Sequence, residues 1–372
     1  MKILIVGRTF HPNLSPRSFR TTELSVELAK RGHNVTVILP RNIKHSVENE
    51  FKNKHSIDFE YYGPLKWKSL EPSHISWIGD WKRKFGRLLF LLFDYPNIEI
   101  YSKLPSKLNN MGIYDLAITI AVPHENHWAF AKARSKINPI AHVWVADCGD
   151  PFLTNHLERI SPPKYFAYLE NSFLKKADYI SVPTEGSIKG YNSKYRDKMK
   201  VIPQGFDFST VKLVDSKPKY NIPHFAYAGG VTKTGVRSLH EVIKFLKSID
   251  KPFKFFIFSG SAENVLSELI QGYEKHFIIN DPIPREKLLY ELSKMDFLVN
   301  LDNDTSLNTP SKLIDYALTE RPVLNISPIN PEKNKILNFL DGDYSQKLRG
   351  INVQDYDIQK VADQFLECCN KV

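Results

Sequence analysis

"KILIVGRTFHPNLSPRSFRTTELSVELAKRGHNVTVILP", residues 2–40, sets the fold. Its opening "KILIVG" is apolar at each interior position, the pattern of a strand covered on both faces. A polar loop, "RTFHPNLSPRSFRT", follows. Then "TELSVELAKRG" puts Leu24, Leu28 and Ala29 on one helical face before Gly32 stops it. "NVTVILP" is a second buried strand. Strand, helix and strand in that order make a βαβ unit, and such a unit implies a parallel sheet.

Working outward, apolar runs recur at "YDLAITIA" (114–121), "HVWVAD" (142–147), "YISVP" (179–183) and "KVIPQG" (200–205), with helical stretches between them. A second series starts at "HFAYAGG" (224–230). It continues through "KFFIFSG" (254–260), "FIIND" (277–281), "DFLVNLD" (296–302) and "PVLNIS" (322–327). The spacing predicts two Rossmann-like α/β domains in tandem. Residues 1–206 form the first, 207–222 a linker and 223–355 the second, and a helix over 356–372 packs back on the first. In such a pair, ligands bind at the carboxyl ends of the strands, in a cleft between the domains.

The chain has 372 residues, 42% hydrophobic and 25% charged, which fits two soluble domains. No run approaches the roughly 20 apolar residues a membrane span needs. The opening strand is too short for a signal-peptide core. Three cysteines without metal spacing predict a cytoplasmic location. The net charge of +10 is uneven. Residues 1–222 hold 33 Lys+Arg against 21 Asp+Glu, whereas residues 223–372 hold 18 against 20. That asymmetry predicts different partners for the two halves.

"LNTPSKLIDYALTERPVLNIS" (307–327) begins a helix with Thr309 as N-cap and Pro310 at its first position. The free N–H groups of that end, with Ser311 and Lys312, make an anion site. Asp315 lies on the same face, one turn on, where a carboxylate can accept hydrogen bonds from a ribose diol. Read as packing alone, Lys312 and Asp315 would be a surface ion pair. In "YAGGVTKTGVRS" (227–238), Gly229 and Gly230 permit close backbone approach, and Lys233 and Arg237 suit a diphosphate. Taken together, the two sites predict that the second domain binds a nucleoside diphosphate.

Several stretches, in order, carry a family resemblance: "RSFRTTELSVELAKRGHNVTVI", "WVADCGDPF", "LKKADYISVPTEGSIKGY", "VIPQGFD", "AYAGG", "IPREKLLYELSKMDFLVNL" and "TPSKLIDYALTERPVL". With these the chain resembles glycosyltransferase family 4 over nearly its whole length. The resemblance implies the GT-B architecture, with two Rossmann-like domains facing across a cleft, and retaining transfer from a nucleotide sugar. Aligned on Pro310, the second acid of the family's donor motif falls on Asp315, implying ribose binding. The first falls on Leu307, which has no polar chemistry, so Asn308 or the N–H groups of 309–312 would hold sugar and phosphates. The basic pair falls on Lys233 and Arg237.

In the first domain, the resemblance implies a histidine touching the donor sugar. His124 in "AVPHENHW" fits first and His127 second, against the plain alternative of structural histidines. Asp147 and Asp150 follow a buried strand, and Asp150 could deprotonate an acceptor hydroxyl or simply cap a turn. Arg17 and Arg20 could grip a phosphate of donor or acceptor, or be solvated. "WKRKFGRLLFLLFDY" (81–95) could lie on an anionic membrane with Lys82, Arg83, Lys84 and Arg87 toward lipid, or be a core helix with a charged start.

"DND" (302–304) reads as a polar strand end, and no essential metal or cofactor is expected beyond the nucleotide sugar as co-substrate. Nothing resembles a nucleic-acid recognition module. The expected function is transfer of a UDP- or GDP-linked sugar to a hydroxyl of a surface-glycan or lipid-linked acceptor, on the inner face of the membrane. The alternatives are a GT-B-fold epimerase and a nucleotide-sugar-binding protein that has lost its chemistry.

Overall fold

The computed structural model describes residues 1–13, 15–41, 43–68, 76–149, 151–154, 162–209, 211–216, 218–302 and 311–370. The chain divides into two compact units, one of Met1–Asp207 with Asp355–Val372 and the other of Phe208–Gln354. In the first, β1 (Lys2–Val6), β2 (Asn34–Leu39), β3 (Ile57–Tyr61), β4 (Tyr114–Ile120), β5 (Ala141–Asp147), β6 (Tyr179–Val182) and β7 (Met199–Val201) form one sheet. Its order is β3-β2-β1-β4-β5-β6-β7, and its strand pairs are parallel. In the second, β8 (His224–Ala228), β9 (Lys254–Phe258), β10 (Phe277–Asn280), β11 (Phe297–Leu301) and β12 (Val323–Ile326) run β10-β9-β8-β11-β12, again parallel. Each unit is Rossmann-like, the α/β class expected from residues 2–40.

Both sheets grow outward from their first strand in two directions. The direction reverses between β1 and β4 in one unit and between β8 and β11 in the other. Loops on either side of such a reversal point apart and leave a crevice at the strand carboxyl ends. The local chemistry of each βα turn therefore decides what those ends can do.

The helix Pro16–Lys30 shows how the local sequence sets its place. Ser15 caps it by accepting from the Ser18 N–H at 3.2 Å, and proline occupies the first turn. Leu24 and Leu28 are fully buried against β1 and β2. The C-terminal segment joins this unit through a parallel bridge between Phe206 and Asp357. The helix Ile358–Leu366 then sinks Ile358, Val361 and Phe365 into the same cluster as Leu24 and Leu28. In the second unit, Phe225 stacks between Phe255 and Phe297, with both centroid distances 4.6 Å. Truncating a core phenylalanine of this kind costs about 3–5 kcal/mol.

One strand goes unrecognised in the sequence. "IDFEY" forms β3, which among the described strands pairs with β2 alone, at the sheet edge. Asp58 and Glu60 break its apolar run, as charges on edge strands commonly do. Among the described residues, no helix is long and apolar enough to cross a membrane.

Candidate functional site

The second unit has a cavity of about 380 Å³ at the carboxyl ends of β8, β9 and β10. Gly229 and Gly230 line it after β8, Ser259–Ser261 after β9, and Pro282 and Ile283 after β10. The helix Ser311–Leu318 adds Lys312, Asp315 and Tyr316, while Leu288 and Leu292 close an apolar wall. Four residues singled out in the sequence thus meet around one space: Gly229, Gly230, Lys312 and Asp315.

Gly229 has φ +145°, and a Cβ there would sit 3.3 Å from the Tyr227 hydroxyl. Any side chain would be strained and would push into the ring that floors the turn. That hydroxyl donates to the Gly230 carbonyl at 2.9 Å. Tyr316, fully buried, accepts from the Ala228 N–H at 2.8 Å and so ties the helix Ser311–Leu318 to the end of β8. The turn is fixed before any ligand arrives.

The electrostatics are those of an anion pocket. Lys312 is half-buried, with Nζ 4.7 Å from the centroid of the Tyr227 ring. Burial, helped by the nearby Arg237 charge, pushes its ammonium down to about 8. A lysine held this way has a desolvated charge, with no carboxylate against it among the described residues, and it strengthens any contact with an arriving phosphate. Arg237 is exposed on the loop, and its Nη1 would lie 3.5 Å from a Cβ on Gly230. Lys233 is exposed on the same loop but is not among the residues lining the cavity. The helix after this loop begins at His240, so loop N–H groups, not a helix end, follow Gly230.

Asp315 does not pair with Lys312, so the surface ion pair considered from the sequence is not formed. Arg285, from the start of the helix Arg285–Ser293, donates to Asp315 Oδ1 through Nε at 2.9 Å and Nη2 at 2.7 Å. Burial raises the Asp315 carboxyl, and Arg285 pulls it back. Sequence reading missed Arg285, Ser259, Ser261 and Tyr316. "FSGS" after β9 was the available signal, being a second small-residue turn in the position of "AGG" after β8.

The first unit uses its strand ends differently. Arg20 is 2% exposed and bonds both oxygens of Asp147, at 2.9 and 2.8 Å. It also donates to the Pro203 carbonyl, while Ser181 Oγ donates to Asp147 Oδ1 at 2.6 Å. The phosphate role considered for Arg20 therefore gives way to a buried ion pair joining the helix Pro16–Lys30 to β5. His127 is likewise a core residue. Its Nδ1 lies 2.6 Å from Thr119 Oγ1 and its Nε2 3.5 Å from Cys148 Sγ, and burial keeps the ring neutral. It has no surface for acceptor or phosphate.

His124 follows β4 and is 5% exposed, edge-on to Phe152 at 5.3 Å. Arg17 is half-buried, and its guanidinium occupies the space a side chain at Gly149 would fill. Beside the β1–β4 reversal, Glu125 is fully buried, with neither oxygen in a well-formed hydrogen bond, and faces Asp94. Burial raises both carboxyls, Glu125 well above its usual range, with Arg8 pulling against the shift.

Asp150, Leu307, Asn308, Thr309 and Pro310 lie outside the described residues, as do the side chains of Ser311 and Arg83. Lys82, Lys84 and Arg87 are exposed on the helix Ser76–Phe93. Trp81, Phe85, Leu88 and Phe93 are exposed beside them, so this stretch is not a core helix. Among the described residues, no group of three or more His, Cys, Asp or Glu side chains could hold a metal ion.

No protein-family model and no curated protein matches the sequence. Solved structures match it over its whole length. A glycosyltransferase from Rickettsia africae does so with a TM-score of 0.64 at 14% identity, covering 100% of this chain and 98% of that one. Anabaena HepE, solved with UDP and glucose, gives 0.62 at 13% identity with 100% of both chains covered. The UDP-GlcNAc 2-epimerase of Methanocaldococcus jannaschii gives 0.54 at 12%, again with 100% of both. At these identities the likeness is one of fold. The chain has the two Rossmann-like units of the GT-B fold.

Proposed function

We propose that the protein is a family 4-type glycosyltransferase. It moves a sugar from a UDP- or GDP-linked donor to a hydroxyl of a surface-glycan or lipid-linked acceptor, with retention. The carrying observation is the cavity where the Gly229-Gly230 turn, the half-buried Lys312 and the carboxylate of Asp315 meet. Backbone N–H groups and Lys312 receive the diphosphate, with Arg237 and Lys233 reaching it from the loop, and Asp315 takes the ribose. The apolar wall of Ile283, Leu288 and Leu292 suits a base. HepE, of the same fold, was solved with UDP and glucose, which supports this assignment.

Transfer needs the leaving diphosphate stabilised and the acceptor oriented, both of which positioned charges supply. On this reading Asp150 orients the acceptor hydroxyl and His124 stands by the sugar. On the same reading Arg17 contacts a phosphate of the donor or the acceptor. The positive side chains meet the diphosphate charge, so the reading calls for no metal. The helix Ser76–Phe93 rests on the inner membrane surface, where a lipid-linked acceptor would be found. Its exposed aromatic and aliphatic residues enter the interface, and each basic residue adds about 1 kcal/mol on anionic lipid. Replacing Lys82, Lys84 and Arg87 together by glutamine should abolish co-sedimentation with vesicles containing phosphatidylglycerol.

Thermal unfolding with UDP, GDP, ADP and their sugar conjugates tests the donor assignment, since a ligand of the folded state raises its stability by mass action. One uridine or guanosine nucleotide should raise the midpoint, and Asp315→Ala should reduce the rise. No shift with any of them would remove the donor reading. Turnover of the donor without an acceptor would instead favour an epimerase, a chemistry found in the same fold.

A further inference from the structure

The ion pair at the rim of the cavity has an asymmetry that plain packing does not require. Both Arg285 donors converge on Asp315 Oδ1. Oδ2 has no hydrogen bond among the described residues, and Asp315 lines the cavity. An arginine–carboxylate pair is strongest when two donors meet two oxygens. Arg20 and Asp147 in the first unit show that arrangement, with one donor on each oxygen. At Asp315 one oxygen takes both bonds, the other takes none among the described residues, and the residue lines the cavity.

We propose that Arg285 is a positioning residue for the nucleotide: by fixing Oδ1 it keeps Asp315 an oriented carboxylate whose Oδ2 accepts from the ribose 2′- and 3′-hydroxyls. The inference rests on the donor reading above and adds to it the residue that makes this short acid selective for a ribose. Aspartate reaches less far than glutamate, so its side chain needs an external anchor to present one oxygen in one direction. Arg285 is placed for that by Pro284 and the first turn of its helix.

Among the described residues, the charged and titratable groups around Asp315 are few. Arg285 comes from the neighbouring helix, Lys312 and Tyr316 share the helix of Asp315, and Tyr227 and Arg237 come from the β8 turn. Tyr227 and Tyr316 are pushed up by burial and stay neutral. Lys312 is directed onto the Tyr227 ring. Arg285 is thus the cation bonded to the carboxylate. Without it, burial alone acts on Asp315, and the carboxyl takes up a proton at higher pH.

The test compares binding of UDP and 2′-deoxy-UDP by calorimetry on the whole chain, with GDP and 2′-deoxy-GDP run in parallel. The proteins are wild type, Arg285→Ala, Arg285→Lys and Asp315→Asn. Wild type should prefer the ribonucleotide by about tenfold, the loss expected when a buried acceptor is left unpaired. That preference should fall to near one in Arg285→Ala and Asp315→Asn, and should partly return in Arg285→Lys. Arg285→Ala should also lose UDP affinity as pH is lowered, and the loss should begin at a higher pH than in wild type.

A clamp with no part in recognition would weaken both nucleotides equally and leave the ratio and the pH profile unchanged, which overturns the proposal. A wild type that binds with no preference for ribose also overturns it, while leaving the donor reading in place. If neither the uridine nor the guanosine pair binds wild type, the donor reading itself fails and this proposal goes with it.

Discussion

The carboxyl ends of the two sheets, built on the same parallel topology, use polar residues in opposite ways. In the first unit Arg20, Asp147 and Ser181 are buried and bonded to one another or to the backbone, and buried His127 lies against the Thr119 hydroxyl and the Cys148 thiol. In the second, Gly229, Gly230, Gly260 and the serines around it leave a space, and Lys312 lines it without a carboxylate partner among the described residues. Polar residues at a strand end therefore do not by themselves mark a site. What marks one is polarity left unsatisfied beside small residues. The cavity meets that condition, and the Arg20–Asp147 cluster does not.

Breaking the first half of the contrast should have the largest effect. Asp147→Asn or Arg20→Ala leaves a buried charge unpaired, so either should cost about 3–5 kcal/mol of unfolding free energy, read from denaturant titration. A change within the ordinary range for surface substitutions would mean the pair is accessible, and the contrast would collapse. The second half is smaller in energy and specific to ligand. Lys312→Met keeps the apolar stem and removes the charge, so UDP or GDP affinity should fall by about 10- to 100-fold with little loss of stability. Because Lys312 is pushed down to about 8, wild-type affinity should also fall as pH rises through that value, where the ammonium loses its proton. The methionine variant should lack that dependence.

A third change sharpens the comparison within the first unit. Glu125 and Asp94 are raised carboxyls, so the folded state holds protons that the unfolded chain has released. Stability is then greatest below the ordinary carboxylate range and declines as pH rises through the raised native values. The slope is at most about 1.4 kcal/mol per pH unit for each proton. Glu125→Gln, which cannot ionise, should flatten that decline.

The fold was legible because buried parallel strands read as continuous apolar runs, and helices betray themselves by their spacing. β3 was not, since Asp58 and Glu60 interrupt it. At the candidate site, the glycines, Lys312 and Asp315 could be found from motif order, because each sits at a fixed offset from a strand or helix start. Arg20 and His127 misled because a single position does not reveal its partner. The helical period did hold a clue, since Arg20, Leu24 and Leu28 fall on one buried face. Arg285 was invisible for the same reason. Its role depends on Asp315, thirty residues away in sequence.

Hydrogen–deuterium exchange of the whole chain with and without UDP or GDP tests the central claim most directly. Binding at the cavity should slow exchange at 228–231, 259–261, 282–286 and 311–316, around the lining residues. Protection confined to the first unit, or no protection at a concentration that saturates binding, would contradict the account.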